Sequence, residues 1–304
     1  MGLIYKMKKA ISQRKLLQKI HCRLLSYCKW ISDEKYIKIK YKMIFKEKLD
    51  LKNPETFNEK LQWLKLYDRK SIYNIMVDKH LVKDYVANLI GTEYIIPTLG
   101  VWNSFNEIDF DKLPNEFVLK CSHDSGSVFV IKDKKSMNIS SLKKEITSKL
   151  NRNFYYQERE WPYKDVKPCI IAEEYKEDSL YKELRDYKLF VFNGKVKLLK
   201  IDFDRFSNHG ANYFDVNGNL LDIGEEYCPP NKNKDLNMPY NLPKMIEFAE
   251  KLANEIDFLR VDFYEVDNKI YFGELTFYPM SGFGKFLNDK DDLFLGGLLN
   301  INKS

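Results

Sequence analysis

Two carboxylates stand out in FLRVDFYEVDNKIYFGELTFYP, residues 258–279: Asp262 and Glu274. The stretch reads as two β-strands joined by a tight turn. Apolar strands do not hold carboxylates at core depth without a partner. Side chains alternate along a strand, so Arg260, Asp262 and Tyr264 share one face, and Phe272, Glu274 and Thr276 share one face of the next strand. A three-residue loop, Asp267-Asn268-Lys269, sets Asp262 opposite Glu274. A two-residue Asp-Asn loop sets them on opposite faces. In the first register they repel unless a proton or a cation lies between them. Mg²⁺ suits that place, since it takes a few carboxylates together with phosphate oxygens. The competing reading is a structural ion pair of Asp262 with Arg260 or with a lysine elsewhere.

A second stretch, FVLKCSHDSGSV, ends an apolar strand at Lys120 and runs at once into Ser125, Gly126 and Ser127. A lysine there can reach a phosphate as a point charge, and the N–H groups of the turn can close over phosphate oxygens. The spacing of a Walker A loop is absent. In CIIAEEY an apolar strand breaks into Glu173, Glu174, Tyr175 and Lys176. Such a junction can offer its backbone to a flat base and a carboxylate to ribose hydroxyls. REWPYK joins aromatic faces to cationic heads, which suits an acidic sugar; its residues of interest are Arg159, Trp161, Tyr163 and Lys164. His123 and His209 could act as bases, although a lone histidine is more often a hydrogen-bonded structural one.

Elements must hold these groups in place. Residues 4–30 carry apolar side chains at helical spacing, from Ile4 to Leu24, Leu25 and Cys28, with a Lys/Arg-rich opposite face. Asn53-Pro54 supplies a helix start. SIYNIMVDKHLVKDYVANLIGTEYIIP reads as a helix, a stop at Gly91 and a strand ending at Pro97. SLKKEITSKLNRNFYYQ and LPKMIEFAEKLANEI read as helices. RDYKLFVFNGKVKLLKIDFDRF reads as a hairpin turning at Asn193-Gly194. Helices alternate with many hairpins, which points to α+β lobes with antiparallel sheets rather than a doubly wound parallel sheet.

The composition is globular, with 44% hydrophobic residues, so a disordered chain is excluded. The net charge of +6 is uneven. Lys6, Lys8, Lys9, Arg14, Lys15, Lys19, Arg23 and Lys29 precede residue 31 with no acid among them, and the remainder is nearly balanced. A basic segment of this kind suits an anionic surface. No apolar run reaches the roughly 18 residues of a membrane span, and charges interrupt the N-terminal segment too often for a signal-peptide core. Five scattered cysteines with no CxxC pair argue against a disulfide scaffold and against a zinc site, and fit a reducing cytoplasm.

The order of the pieces is informative. NPETFNEKLQWLKLYDR, FVLKCSHDSGSV, NFYYQEREWPYK, LRDYKLFVFNG and VDFYEVDNKIYFGELTFYPMSGF together resemble the TupA-like ATP-grasp family, associated with bacterial cell-surface polymers, from about residue 33 to about residue 288. The resemblance implies two α+β lobes clamping ATP: helices over 33–90, a first lobe over about 91–172, a second over about 173–288, a tail over 289–304, and the basic segment 1–32 in front. It implies phosphate contacts from Lys79 and Lys120, a covering loop at Ser125, Gly126 and Ser127, an adenine linker at Glu173 to Lys176, and a basic strand residue at Lys188. It implies one or two Mg²⁺ ions on Asp262 and Glu274. Many ATP-grasp enzymes have Glu-x-Asn where this chain has Glu274-Leu-Thr276, and a hydroxyl is a weaker ligand than an amide oxygen.

The chemistry then implied is amide formation from a carboxylate and an amine through an acylphosphate. Arg205, in DFDRFSNHGAN, is the expected oxyanion stabiliser, with Asn208 and His209 beside the acceptor. The expected partners are an acidic sugar or polysaccharide and an amine or amino acid, in the cytoplasm; residues 1–30 read either as a helix lying on the inner face of an anionic membrane or as a helix packed on the body of the protein. Nucleic acid is not expected, because no RNA- or DNA-binding motif accompanies the basic segment. A glycosyltransferase of the same pathways is the alternative, since Asp202-Phe203-Asp204 matches a DxD pattern.

Overall fold

The computed structural model describes residues 20–179, 184–204 and 208–301. Among these residues the strands divide into two antiparallel sheets. The smaller runs β1-β4-β2-β3, made of Thr98–Trp102 (β1), Phe117–Cys121 (β2), Val128–Ile131 (β3) and Ile170–Glu174 (β4). The larger runs β10-β9-β5-β6-β7-β8. Its strands are Asp186–Phe192 (β5), Lys195–Phe203 (β6), Gly210–Asp215 (β7), Leu220–Leu221 (β8), Phe258–Val266 (β9) and Lys269–Thr276 (β10). The architecture is α+β with antiparallel sheets, as expected. Strand β4 continues in the small sheet to Glu174, so the connection between the sheets begins at Tyr175.

After the helical residues 20–27, four more helices among the described residues precede the first sheet: Asp33–Phe45 (α1), Phe57–Tyr67 (α2), Ile72–Val77 (α3) and Leu81–Ile90 (α4). Helix α2 starts later than Asn53-Pro54 predicts. The Thr56 hydroxyl accepts from the Glu59 N–H, and the Glu59 carboxylate accepts from the Thr56 N–H. That reciprocal box satisfies two orphan donors, whereas a proline only removes one. Gly91 ends α4 with φ +118°, as predicted. The strand expected before Pro97 is absent; a short 3₁₀ turn, Thr92–Tyr94, stands there, and β1 begins after the proline.

Helix Ile139–Leu150 (α5) lays Ile146 on Phe117, Leu119 and Ile170 of the small sheet. The single helix expected over 141–157 is broken, with Tyr155–Glu158 (α6) as a separate turn. Helix Leu242–Leu252 (α7) buries Met245, Phe248, Ala249 and Leu252 in the core beneath the large sheet. The expected tail after residue 288 is instead a helix, Asp289–Leu298 (α8), packed on α2. Gly296 explains the close approach: a Cβ there would lie 2.1 Å from the Glu55 carbonyl oxygen. The Asn58 amide donates to Asp292, and the Lys60 amine donates to the carbonyls of Gly296 and Leu299.

Candidate active site

The hairpin resolves its two registers in an unexpected way. Lys269 pairs with Val266, so the turn has two residues, Asp267 and Asn268, with φ +49° and +61°. A regular ladder would now send Asp262 and Glu274 to opposite faces. A bulge between Phe272 and Glu274 restores the pairing, and Glu274 stands opposite Asp262. Gly273 makes the bulge sterically possible, since a Cβ there would sit 2.9 Å from the Asp262 carbonyl oxygen and 3.2 Å from the Tyr264 ring.

Cross-strand pairing then aligns a charged row: Glu274 opposite Asp262, Asp262 opposite Lys188, Lys188 opposite Lys200, Lys200 opposite Tyr213. The cation between the two carboxylates is Arg260. Its Nε and Nη2 donate to the two oxygens of Asp262 at 2.6 and 2.7 Å, and Nη2 also donates to Glu274 at 2.8 Å and Thr276 at 3.0 Å. The Lys188 amine lies 2.5 Å from Asp186, 3.3 Å from Asp262 and 3.4 Å from Asp202. Burial alone would lower Lys188, but these three carboxylates hold it above its ordinary range. Burial pushes Asp262 up to about 6 against the pull of Arg260 and Lys188. Burial acts the same way on Glu274, but Arg260, Lys188 and Lys79 outweigh it and keep this carboxyl below its ordinary range.

These groups fit a hard divalent cation in part. The Glu274 side chain is 46% exposed while one of its oxygens is held by Arg260. Asp262 is 1% exposed with both oxygens on Arg260, so an ion reaches it only as the guanidinium gives way. The Thr276 hydroxyl donates to Glu274 and accepts from Arg260.

On the small sheet, Glu173 is buried between two amines. Lys83 lies 2.6 Å from one of its oxygens, and Lys120 pairs with the other. Burial raises Glu173, but Lys120 and Lys83 outweigh it and bring the carboxyl below its ordinary range. Lys83 went unread in the sequence. It stands in α4, four residues after Lys79 in the turn that precedes that helix, and that spacing was the available signal. Lys79 donates to the carbonyls of Cys121 and Asp124 in the loop that leaves β2. Burial lowers Lys79, opposed by Asp124 and by Glu274 from the other sheet. Lys79 thus stands within electrostatic reach of groups on both sheets. Val128 and Val130 pair with Lys120 and Val118 on the same face of the small sheet and are exposed, an apolar floor that the sequence reading also missed.

The remaining predicted residues scatter. Ser125 and Gly126 are exposed at the loop tip, with Gly126 at φ +87°, while the Ser127 hydroxyl donates to Asp124. Glu174 pairs with Lys176 at 2.8 Å, and the Tyr175 hydroxyl meets Glu177. Arg159 is a correction. It is 1% exposed, stacks on Tyr36 at 4.4 Å and donates to the carbonyls of Cys28 and Ile31, so no substrate reaches it. Of the same motif, burial raises Tyr163 well above the ordinary tyrosine range, reinforced by the nearby charges of Glu160, Glu274 and Asp124. Trp161 is half-buried near Arg69, and Lys164 is exposed beside Tyr155. His123 is buried against the Arg152 carbonyl. Asn208 is exposed, and His209 lies 3.6 Å from Asp202. Arg205 lies outside the described residues, as do residues 1–19 of the basic segment. Asp202 and Asp204 of the DxD pattern contact Lys188 and Lys234. Asp202, His209 and Cys228 bring donor atoms within 4.8 Å of one another, but the Lys200 amine already lies 3.3 Å from the Cys228 sulfur.

The profile of the TupA-like ATPgrasp family matches residues 59–300, and the chain belongs to that family. No curated protein matches the sequence. Among solved structures, the D-alanine–D-alanine ligase of Helicobacter pylori is 17% identical with a TM-score of 0.41, over 80% of this chain and 69% of its own. The D-alanine–D-alanine ligase of Bacillus anthracis is 16% identical with a TM-score of 0.37, over 66% of this chain and 57% of its own. An ATP-grasp RimK domain protein of Sphaerobacter thermophilus is 10% identical with a TM-score of 0.42, over 76% of this chain and 68% of its own. The chain thus spans little more than half the length of the Bacillus anthracis ligase. Scores this low say nothing of activity.

Proposed function

We propose that the protein is an ATP-dependent carboxylate–amine ligase that forms an amide through an acylphosphate. The observation that supports this reading best is the pair of opposed charge sets on the two sheets, amines around Glu173 on the small one and carboxylates around Arg260 on the large one, with Lys79 in electrostatic reach of both. Polyphosphate suits the first and a divalent cation the second. Mg²⁺, held by Glu274 and Asp262 with Thr276 beside them, would neutralise charge on the transferring phosphoryl group.

The chain's own residues would do the rest. Lys79, Lys120 and Lys188 draw the phosphates into line. The loop at Ser125, Gly126 and Ser127 covers them, and the stretch from Glu173 to Lys176 receives the base. The acceptor carboxylate oxygen bonds to the γ-phosphorus while the bridging bond to ADP breaks. An amine nitrogen then bonds to the acyl carbon, and inorganic phosphate leaves with the former carboxylate oxygen. Arg205 and Arg260 are the cations suited to the oxyanion. Trp161, Tyr163, Lys164, Asn208 and His209 would meet the acceptor, which we take to be a uronic acid or similar carboxylate of a surface polysaccharide, modified in the cytoplasm.

The test is ADP release from Mg²⁺-ATP with a panel of uronic acids and amino acids, beside a thermal-shift series. ATP with Mg²⁺ should raise the melting temperature by preferential binding to the native state. A shift with a nucleotide-sugar and none with ATP would replace this reading with a glycosyltransferase.

A further inference from the structure

We propose that residues 20–30 are a docking ridge that seats the protein on an anionic lipid bilayer. By sequence alone, Leu24 and Leu25 belong to one apolar face. The structure separates them. Residues 20–27 are helical, and Cys22, Leu25, Ser26 and Cys28 are half-buried toward the body. Leu25 and Ile31 pack on the cluster of Tyr36, Ile37, Tyr41, Leu49 and Phe283. Arg159 fixes this attachment from within, because its guanidinium donates to the carbonyls of Cys28 and Ile31.

With that face committed, the helix still presents a second apolar line. Ile20, Leu24 and Tyr27 recur at i, i+4 and i+7, and they are 44%, 58% and 67% exposed. Trp30 follows at 82%. A helix held by one face with aliphatic and aromatic residues on the other is not solvated cheaply, and tyrosine and tryptophan suit the headgroup depth of a bilayer.

Charge selects the occupant. The first thirty residues hold eight Lys or Arg and no acid. Lys35 and Lys42 are exposed on the next helix, where Lys38 pairs with Glu34. A second copy of this chain would bring the same positive charge to the contact and be repelled. A nucleic acid would use the charge and leave the Ile20–Leu24 line unused. A bilayer of acidic lipid takes both: the bases meet headgroup charge and the ridge enters the acyl boundary.

The experiment uses the full chain with phosphatidylglycerol-containing vesicles, phosphatidylcholine vesicles as the neutral control, and brominated lipid as a quencher. Binding should favour the acidic vesicles and weaken as salt screens the attraction. Brominated lipid should quench tryptophan emission, and Trp30→Phe should abolish that quenching, because Trp63, Trp102 and Trp161 are half-buried. Leu24→Ser with Trp30→Ser should lower vesicle affinity at least ~10-fold while leaving the melting temperature in place. Three results would overturn the proposal: equal binding to both vesicle types, quenching that survives Trp30→Phe, or lipid-free self-association that the double variant removes. The last would assign the ridge to a second copy. The quenching series reads the unaltered fold, so an unstable double variant does not leave the question open.

Discussion

The small sheet places one carboxylate, Glu173, between two lysines; the large sheet places one guanidinium, Arg260, between two carboxylates. Glu173 is buried and Arg260 nearly so, and each has an excess of the opposite sign around it. Both arrangements keep charges out of water without leaving them bare, which a folded chain must do before any ligand arrives. They differ in what they still attract. The amine-rich side has charge left for an anion, and the carboxylate-rich side for a cation. Lys79 reaches across this difference, since it feels Asp124 on one side and Glu274 on the other. A nucleotide with its metal is a ligand whose two ends match the two sides.

Removing the shared group from each side breaks the comparison most directly. Arg260→Met strips Asp262 of both its guanidinium bonds and should cost about 3–5 kcal/mol, read from a denaturant melt. A loss under ~1 kcal/mol would mean that Asp262 does not depend on the guanidinium. Glu274→Gln should separate activity from fold. Its side chain is 46% exposed, so stability should move by less than ~1 kcal/mol. ADP release at saturating Mg²⁺-ATP should fall at least ~10²-fold, equivalent to about 2.7 kcal/mol. A variant that melts early yet turns over normally would make Glu274 structural.

Glu173→Gln tests the other side. It leaves Lys83 and Lys120 without their common anion, and should cost about 2 kcal/mol, less than Arg260→Met because lysine stems can carry their amines toward water. The effect has a pH signature. The folded carboxyl titrates below the ordinary glutamate value of 4.5, since Lys120 and Lys83 outweigh burial. Its stabilisation is complete above that value and disappears as pH falls through the folded value. Melts of both proteins should differ by a constant amount near neutrality and converge in acid; a difference that grows on acidification would contradict the sign. The smallest change expected is Gly273→Ala. The new methyl presses on the Asp262 carbonyl and should cost about 1 kcal/mol. It should also reduce the thermal shift given by Mg²⁺-ATP, because the bulge that pairs the carboxylates is disturbed.

Much of this was legible in the sequence, for identifiable reasons. The Asn193-Gly194 hairpin follows from local backbone chemistry, and both residues take positive φ, +47° and +78°. The carboxylate pair was legible only as a choice between registers, because a bulge combines a two-residue turn with a face-to-face pair; its signal, the isolated Gly273 inside a strand pattern, went unread. Arg159 misled for a different reason. A cation among aromatics looks the same in sequence whether it waits for a ligand or stacks inside the body, and only tertiary contacts with Tyr36 and the 28–31 carbonyls decide. Helix α8 was hidden by Gly296 and Gly297, which weaken helix propensity. The first of them is there because the backbone of residues 55–57 leaves no room for a Cβ.

That last helix has a consequence for how the chain is made. Asn58 finds Asp292 across 234 positions, and Lys60 finds the Leu299 carbonyl across 239. A ribosome releases α2 long before α8 exists. During that interval the buried face of α2, with Phe57 and Leu61, has to wait partly uncovered. Contacts of such sequence separation slow folding and expose the nascent chain to aggregation. The closing of the core around α2 therefore waits until α8 has been made, and a chain stopped before Asp289 would stay open there.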